Sequence, residues 1–252
     1  MGIPLKPRRP DIVEFVGLPG AGKTTIVERL CNHKGMPGFM DGQAYGARTA
    51  CRDEERGSRL RRPLLALLKA MLALGWVGMH PVAFYALIRH TAMASRQPLA
   101  LAWTRLKQFF FCLAHLAWLK IYRRYAAVPA DYLLLDQGVL QAIVSLDLAG
   151  GRFPSEVLTR MPLPDIVIYL DADAGVASRR LFSRTGGTSR LDRMDATDAL
   201  RLMGDLEKTF RLFTDALQRL TPIRVVRVSS RQDDAPEKVA HDIAQALAGQ
   251  AL

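Results

Sequence analysis

The sequence lacks the marks of several protein classes. Its three cysteines, Cys31, Cys51 and Cys112, are odd in number and scattered. No CxxC pair and no Cys/His ligand spacing occurs, which argues against a disulfide framework or a structural zinc site. The opening residues, MGIPLKPRRPD, contain no apolar run of the secretory kind. A reducing cytoplasmic setting is the expectation. There is no internal repeat. Acidic residues are missing from one long stretch: Pro63–Val128 holds 8 basic residues and none that is acidic. The other parts are more balanced, with 12 basic and 7 acidic residues before it, and 15 basic and 17 acidic after it. Most of the net charge of +11 thus sits in one apolar segment. Nucleic acid, a membrane surface or an anionic metabolite could each answer such a charge.

What is present is the composition of a globular chain. Of 252 residues, 49% are hydrophobic and 23% charged, enough for one domain with a substantial core. Short apolar runs at Asp11–Gly17, Asp131–Asp136, Asp165–Asp171 and Ile223–Val228 read as buried strands. Helical patterns lie between them, so the fold class is α/β with a parallel sheet. Helices are expected from about Lys23 to Cys31, from Ala174 to about Ser183 with Asp173 as N-cap, and over Ala235–Leu247. Ala199, Met203, Leu206, Phe210, Phe213, Leu217 and Leu220 recur at helical spacing and define one apolar face. No histidine has a spaced partner, so each is expected to be structural or exposed.

The segment 59–127 reads differently, as two or three long helices broken near Gly75–Gly78, His80–Pro81 and Gln97–Pro98. It is expected to be a helical insertion within a single domain spanning 1–252. Three readings stay open for it: packing on the core or on another subunit, docking on anionic lipid, and membrane insertion. In the lipid reading, the arginines and lysines of the segment, the Arg123/Arg124 cluster among them, sit at the headgroups, with Phe109–Phe111 and Trp118 below. Localisation is then cytoplasmic, or peripheral at the inner face of a membrane. No specific nucleic-acid contact is expected, because the aromatics fit helix faces better than a stacking platform.

The strongest local signal is Gly17-Leu18-Pro19-Gly20-Ala21-Gly22-Lys23-Thr24-Thr25, which matches GxxxxGK[ST] between a strand and a helix. Glycines let successive backbone N–H groups curl around phosphate oxygens, and the helix N-terminus adds its positive end. Lys23 can reach the β- and γ-phosphates, and Thr24 can hold Mg²⁺. ATP or GTP binding follows. The only asparagine is Asn32, followed by His33, so an Asn-Lys-x-Asp guanine motif is absent. An LSGGQ signature is absent too. A compact phosphoryl-transfer enzyme is the simplest remaining class.

GLPGAGKTT, LLLDQGVLQ, PDIVIYLDAD and RRLFSRTGGTSRLDR stand in the order found in thymidylate-kinase-like and deoxynucleoside-kinase-like enzymes. Over roughly 10–49 and 130–247 the chain resembles that P-loop kinase superfamily, as a divergent member with a helical insertion. The resemblance implies a P-loop NTPase fold with a parallel five-stranded sheet flanked by helices, Mg-ATP as donor and a small phosphoryl acceptor.

Asp136 ends an apolar strand, where ligands of such sheets gather. A carboxylate there can bind Mg²⁺ through water or take a proton from an acceptor hydroxyl. In the resembling kinases this acid is followed by arginine. Here Gln137 follows, which removes one substrate-facing positive charge. Gln141 matches a family position that contacts the acceptor. Arg179, Arg180, Arg184, Arg190 and Arg193 flank the glycine-bearing connector Thr185–Ser189. The family order makes this connector a mobile lid, with Arg184 and Arg190 closing on the transferring phosphoryl and Arg180 beside ATP. The loop Ser229–Arg231 corresponds to the one that packs on adenine. Asp171 and Asp173 read as strand-end and cap residues rather than metal ligands.

The sequence thus points to Mg-ATP-dependent phosphoryl transfer to a small molecule, nucleoside or nucleotide by family default. A sugar, antibiotic or lipid-linked acceptor stays open because of Gln137 and the helical segment. The alternative from another class is an ATP-binding and ATP-hydrolysing switch or assembly factor, acting at a membrane surface or on a partner protein. Homodimerisation through 59–127 also stays open.

Overall fold

The computed structural model describes residues 9–32, 38–42, 80–93, 102–125, 130–147, 158–159, 161–183, 195–230 and 234–249, with positions 67, 70, 71, 74, 75, 77 and 78. Among these residues, five strands form one sheet: β1 (Asp11–Gly17), β2 (Phe39–Asp41), β3 (Tyr132–Leu135), β4 (Ile166–Asp171) and β5 (Arg224–Ser229). Their order across the sheet is β2-β3-β1-β4-β5, and every pairing is parallel. Val13 pairs with Leu134 on one side and Ile166 on the other, so β1 is central. Helices cover both faces of such a sheet, so its middle strands carry unbroken apolar runs. Accordingly, Ile12–Gly17 are all buried. The edge strands β2 and β5 are only partly so.

The helices are α1 (Lys23–Asn32), α2 (Pro81–Met93), α3 (Ala102–Tyr125), α4 (Val139–Asp147), α5 (Ala174–Phe182), α6 (Ala196–Leu220) and α7 (Pro236–Leu247). α1 packs on α7, α3 on α4, and α5 on α6. The four strands expected from apolar runs are found within a residue or two of their expected bounds. β2 was not anticipated as a run: three half-buried residues are too few to carry a period. Asp173 caps α5 as expected, accepting from the backbone N–H groups of Gly175 and Val176. The apolar face of α6 is also found. Ala199, Met203, Phe210, Phe213 and Leu217 have no exposure, and Leu206 almost none. Leu220 departs from it: as the last helical residue it is 46% exposed.

Two features of the helical segment differ from expectation. Gly75 and Gly78 are themselves helical, although a break was expected near them. One glycine costs a helix only ~1 kcal/mol. The break falls at His80–Pro81, where Pro81 opens α2 at a position that needs no N–H donor. Gln97–Pro98 lies outside the described residues. α3 is a core helix along one side. Cys112, Leu113, Leu116, Leu119 and Tyr122 are buried in the same cluster as the sheet. Trp118 stacks on Tyr122, with ring centroids 5.5 Å apart. Arg123 reaches Asp165, Nη2 to Oδ1 at 3.0 Å, and Asp165 also accepts from the backbone N–H of Ile12. Arg123 therefore belongs to the sheet's entry edge and not to a free basic face. Phe109 is buried as well, which leaves Phe110 and Phe111 as the exposed members of that aromatic run.

Candidate active site

The loop between β1 and α1 follows the course its glycines allow. Gly20 has φ +84°, and a Cβ there would stand 2.2 Å from the carbonyl oxygen of Ala177 in α5. Only glycine fits both that backbone and that close approach. Leu18 and Ala21 are buried, and the N–H of Ala21 donates to the carbonyl of Leu18 at 3.1 Å, which closes the turn. Lys23 begins α1 but is itself buried. Its Nζ donates to the carbonyls of Gly17 (2.8 Å) and Leu18 (2.9 Å). The ammonium group is thereby held over the loop. No acidic residue of α1 itself lies in its first turn, so its positive end is left to a carboxylate from elsewhere in the chain or to a ligand.

β1 and β3 are neighbours, which brings the carboxyl end of β3 to this loop. Thr24 Oγ1 donates to Asp136 Oδ2 at 2.7 Å. The two residues named from sequence as metal-binding therefore touch, although 112 positions separate them. The other oxygen, Asp136 Oδ1, is buried and accepts no hydrogen bond among the described residues. A buried carboxylate oxygen without a donor is costly unless a cation or water completes it. The donor set, a hydroxyl beside a carboxylate, is the hard oxygen chemistry that Mg²⁺ prefers. The residues present thus fit that ion.

Gln141 also reaches the loop. Its Oε1 accepts from the backbone N–H of Gly17 at 3.3 Å. Gln137 is exposed at the turn between β3 and α4. Arg180, in α5, donates from Nη1 to Ser230 Oγ at 3.1 Å. Ser230 Oγ in turn donates to the carbonyl of Ala21 at 3.3 Å. One arginine named from sequence and the residue after β5 are thus joined to the phosphate loop. Pro19 and Thr25 complete the loop and the first turn of α1; Thr25 is exposed. Arg184, Arg190, Arg193 and Arg231 lie outside the described residues. Asp171 and Asp173 do not enter the site: Asp173 caps α5, and Asp171 pairs with Arg211 at 3.2 Å.

One residue of the site escaped the sequence reading. Glu14, in the middle of β1, has no solvent exposure. Its Oε1 accepts from the N–H groups of Leu140 (2.7 Å) and Gln141 (2.9 Å), at the start of α4. Burial pushes its carboxyl up to about 8, against the lowering effect of those N–H groups. A Cβ on Gly138 would sit 2.4 Å from the Glu14 carboxyl carbon, so residue 138 must be small for the two to meet. Glu14 therefore ties the strand that leads into the phosphate loop to the turn Asp136-Gln137-Gly138. The available signal was a lone acid inside an otherwise apolar strand, which needs a partner to be tolerated.

No family model and no curated protein matches the chain. Solved structures do. A deoxyadenosine kinase from M. mycoides with bound dCTP matches at 15% identity and a TM-score of 0.50, over 94% of this chain and 99% of that one. A shikimate kinase from Acinetobacter baumannii in complex with shikimate matches at 14% identity and a TM-score of 0.45, over 96% of each. The first of these comparisons spans nearly the whole of both chains. With the parallel five-stranded sheet and the glycine loop that leads from β1 into α1, it establishes that this chain has a P-loop kinase-like fold.

Proposed function

We propose that the protein transfers the γ-phosphoryl group of ATP to a hydroxyl-bearing small molecule. The observation that carries this reading is the 2.7 Å contact of Thr24 with Asp136, beside the buried ammonium of Lys23 and with Asp136 Oδ1 unsatisfied. Lys23 lies where it can exchange its two loop carbonyls for phosphate oxygens. Thr24 and Asp136 would hold Mg²⁺, which supplies Lewis-acid polarisation of the phosphates. Arg180 would steady the ATP side of the loop through Ser230. Arg184 and Arg190 are assigned to the transferring group from their place in the sequence alone. Gln137 and Gln141 stand on the acceptor side. Gln137 offers an amide where the resembling kinases carry a cation, which favours a neutral acceptor over a monophosphate. The kinship of fold with a deoxyadenosine kinase makes nucleosides the first acceptors to try.

The test is ATP consumption by purified protein with Mg²⁺ against pooled nucleosides, nucleotides, sugars and aminoglycosides, with Lys23→Ala as control. Acceptor-stimulated turnover that the substitution removes is the expected result. Tight ATP binding with only slow, acceptor-independent hydrolysis would sink the kinase assignment and leave a nucleotide-dependent switch.

A further inference from the structure

Among the described residues, thirteen large hydrophobic side chains are exposed, and nine of them fall between positions 67 and 111. Leu67, Met71 and Leu74 are helical and follow one another at helical spacing. On α2, Val82 and Tyr85 are 57% and 67% exposed, and Ile88 follows one turn on. The inward side of the same helix is anchored. Leu87 has no exposure, and Phe84 meets Phe109 of α3 with ring centroids 5.8 Å apart. α2 is thus apolar on the side that packs and apolar again on the side that does not. α3 repeats the pattern: Cys112, Leu113 and Leu116 are buried, while Leu106, Phe110 and Phe111 are exposed. A helix whose core face is already satisfied has no reason of its own to carry such residues outward.

Charge decides what kind of partner fits. Pro63–Val128 carries 8 basic residues and no acidic one. Arg89 is exposed beside Ile88 on α2. A second copy docked face to face would set two such stretches against each other, like charge to like. A surface of anionic headgroups over acyl chains answers the positive charge and the apolar side chains together. No helix among the described residues is long and apolar enough to cross a membrane. Arg123 and Trp118 take no part, being engaged with Asp165 and Tyr122. We infer that the outward faces of α2 and α3 dock the protein peripherally on an anionic lipid surface.

Flotation of the full chain with vesicles tests this. One set is phosphatidylcholine alone, and the other contains phosphatidylglycerol as well. The expected result is flotation only with the anionic vesicles, weakening as salt is raised. The double substitution Tyr85→Ser/Phe110→Ser, and separately Arg89→Glu, should each lower the bound fraction several-fold. Both variants should keep the wild-type circular dichroism, and Arg89→Glu the melting temperature too; the double variant loses only the edge contact of half-exposed Phe110 with Phe109 and should melt a few degrees lower at most. Failure to float with anionic vesicles, equal binding to both kinds, or undiminished binding by well-folded variants would each overturn the inference. A concentration-dependent dimer that the same substitutions dissolve, without vesicle binding, would give the surface to a second copy instead.

Discussion

A carboxyl group with no solvent exposure keeps its proton across neutral pH, because water no longer stabilises the charged form. Glu14 is in that state, with its proton held up to about pH 8 against an ordinary 4.5. In the unfolded chain the proton leaves near the ordinary value. Between the two values the folded state binds more protons than the unfolded one. The stability that Glu14 contributes is therefore full below about pH 4.5 and is lost as pH rises towards about 8. Glu14→Gln should remove this part of the pH dependence, read as denaturant midpoints across that window; an unchanged slope would refute the assignment. Lys23 serves a different end. Its buried ammonium braces the loop; under the proposed function it also meets phosphate, so Lys23→Ala should lower turnover by at least ~10²-fold. The place of Lys23 and Thr24 between β1 and α1 was legible because a contiguous motif carries them, and that of Asp136 because a strand end carries it. Glu14 was not: its meaning arises only when α4, 126 residues on, sets two N–H groups against it.

The helices show where local pattern suffices and where it fails. α6 follows its period from Ala199 to Leu217, about five turns, because one face is pressed on the core along most of its length. Phe213→Ala should cost about 3–5 kcal/mol, whereas Leu220→Ala, at the half-exposed last turn, should cost well under that. Chemical denaturation of the two variants would measure the contrast. α5 owes its sharp start to Asp173, whose carboxylate takes two N–H groups; Asp173→Ala should cost about 1 kcal/mol of stability. At Gly75 and Gly78 the sequence suggested a break, yet both glycines are helical, and it was silent at β2. A three-residue edge strand is defined by its partner β3, through Phe39 stacked on Tyr132, and not by any pattern of its own. The sequence left the basic cluster at Arg123 open between packing and a lipid-facing surface, because the ion pair with Asp165 that engages it spans 42 positions.

At the scale of the whole molecule, the order of strands and helices along the chain gave the class, α/β with parallel crossovers. The spatial order β2-β3-β1-β4-β5 is not written in any single segment. It arises as each crossover lays its helix on the sheet, and it alone brings Asp136 to Thr24. A site built from two crossovers should stiffen when its ligand joins them. Saturating Mg-ATP at about 100 times its dissociation constant should add about 2.7 kcal/mol of stability. In a chain of this size that is a rise in melting temperature of about 5–10 °C, which Lys23→Ala should abolish. The central claim concerns Asp136, and the most direct measurement is the Mg²⁺ dependence of acceptor-stimulated ATP turnover in the wild type and in Asp136→Asn. A fall of about 10²-fold or more at any Mg²⁺ concentration, with Thr24→Ala similarly impaired, is the expected result. Full phosphoryl-transfer activity in Asp136→Asn would contradict the account.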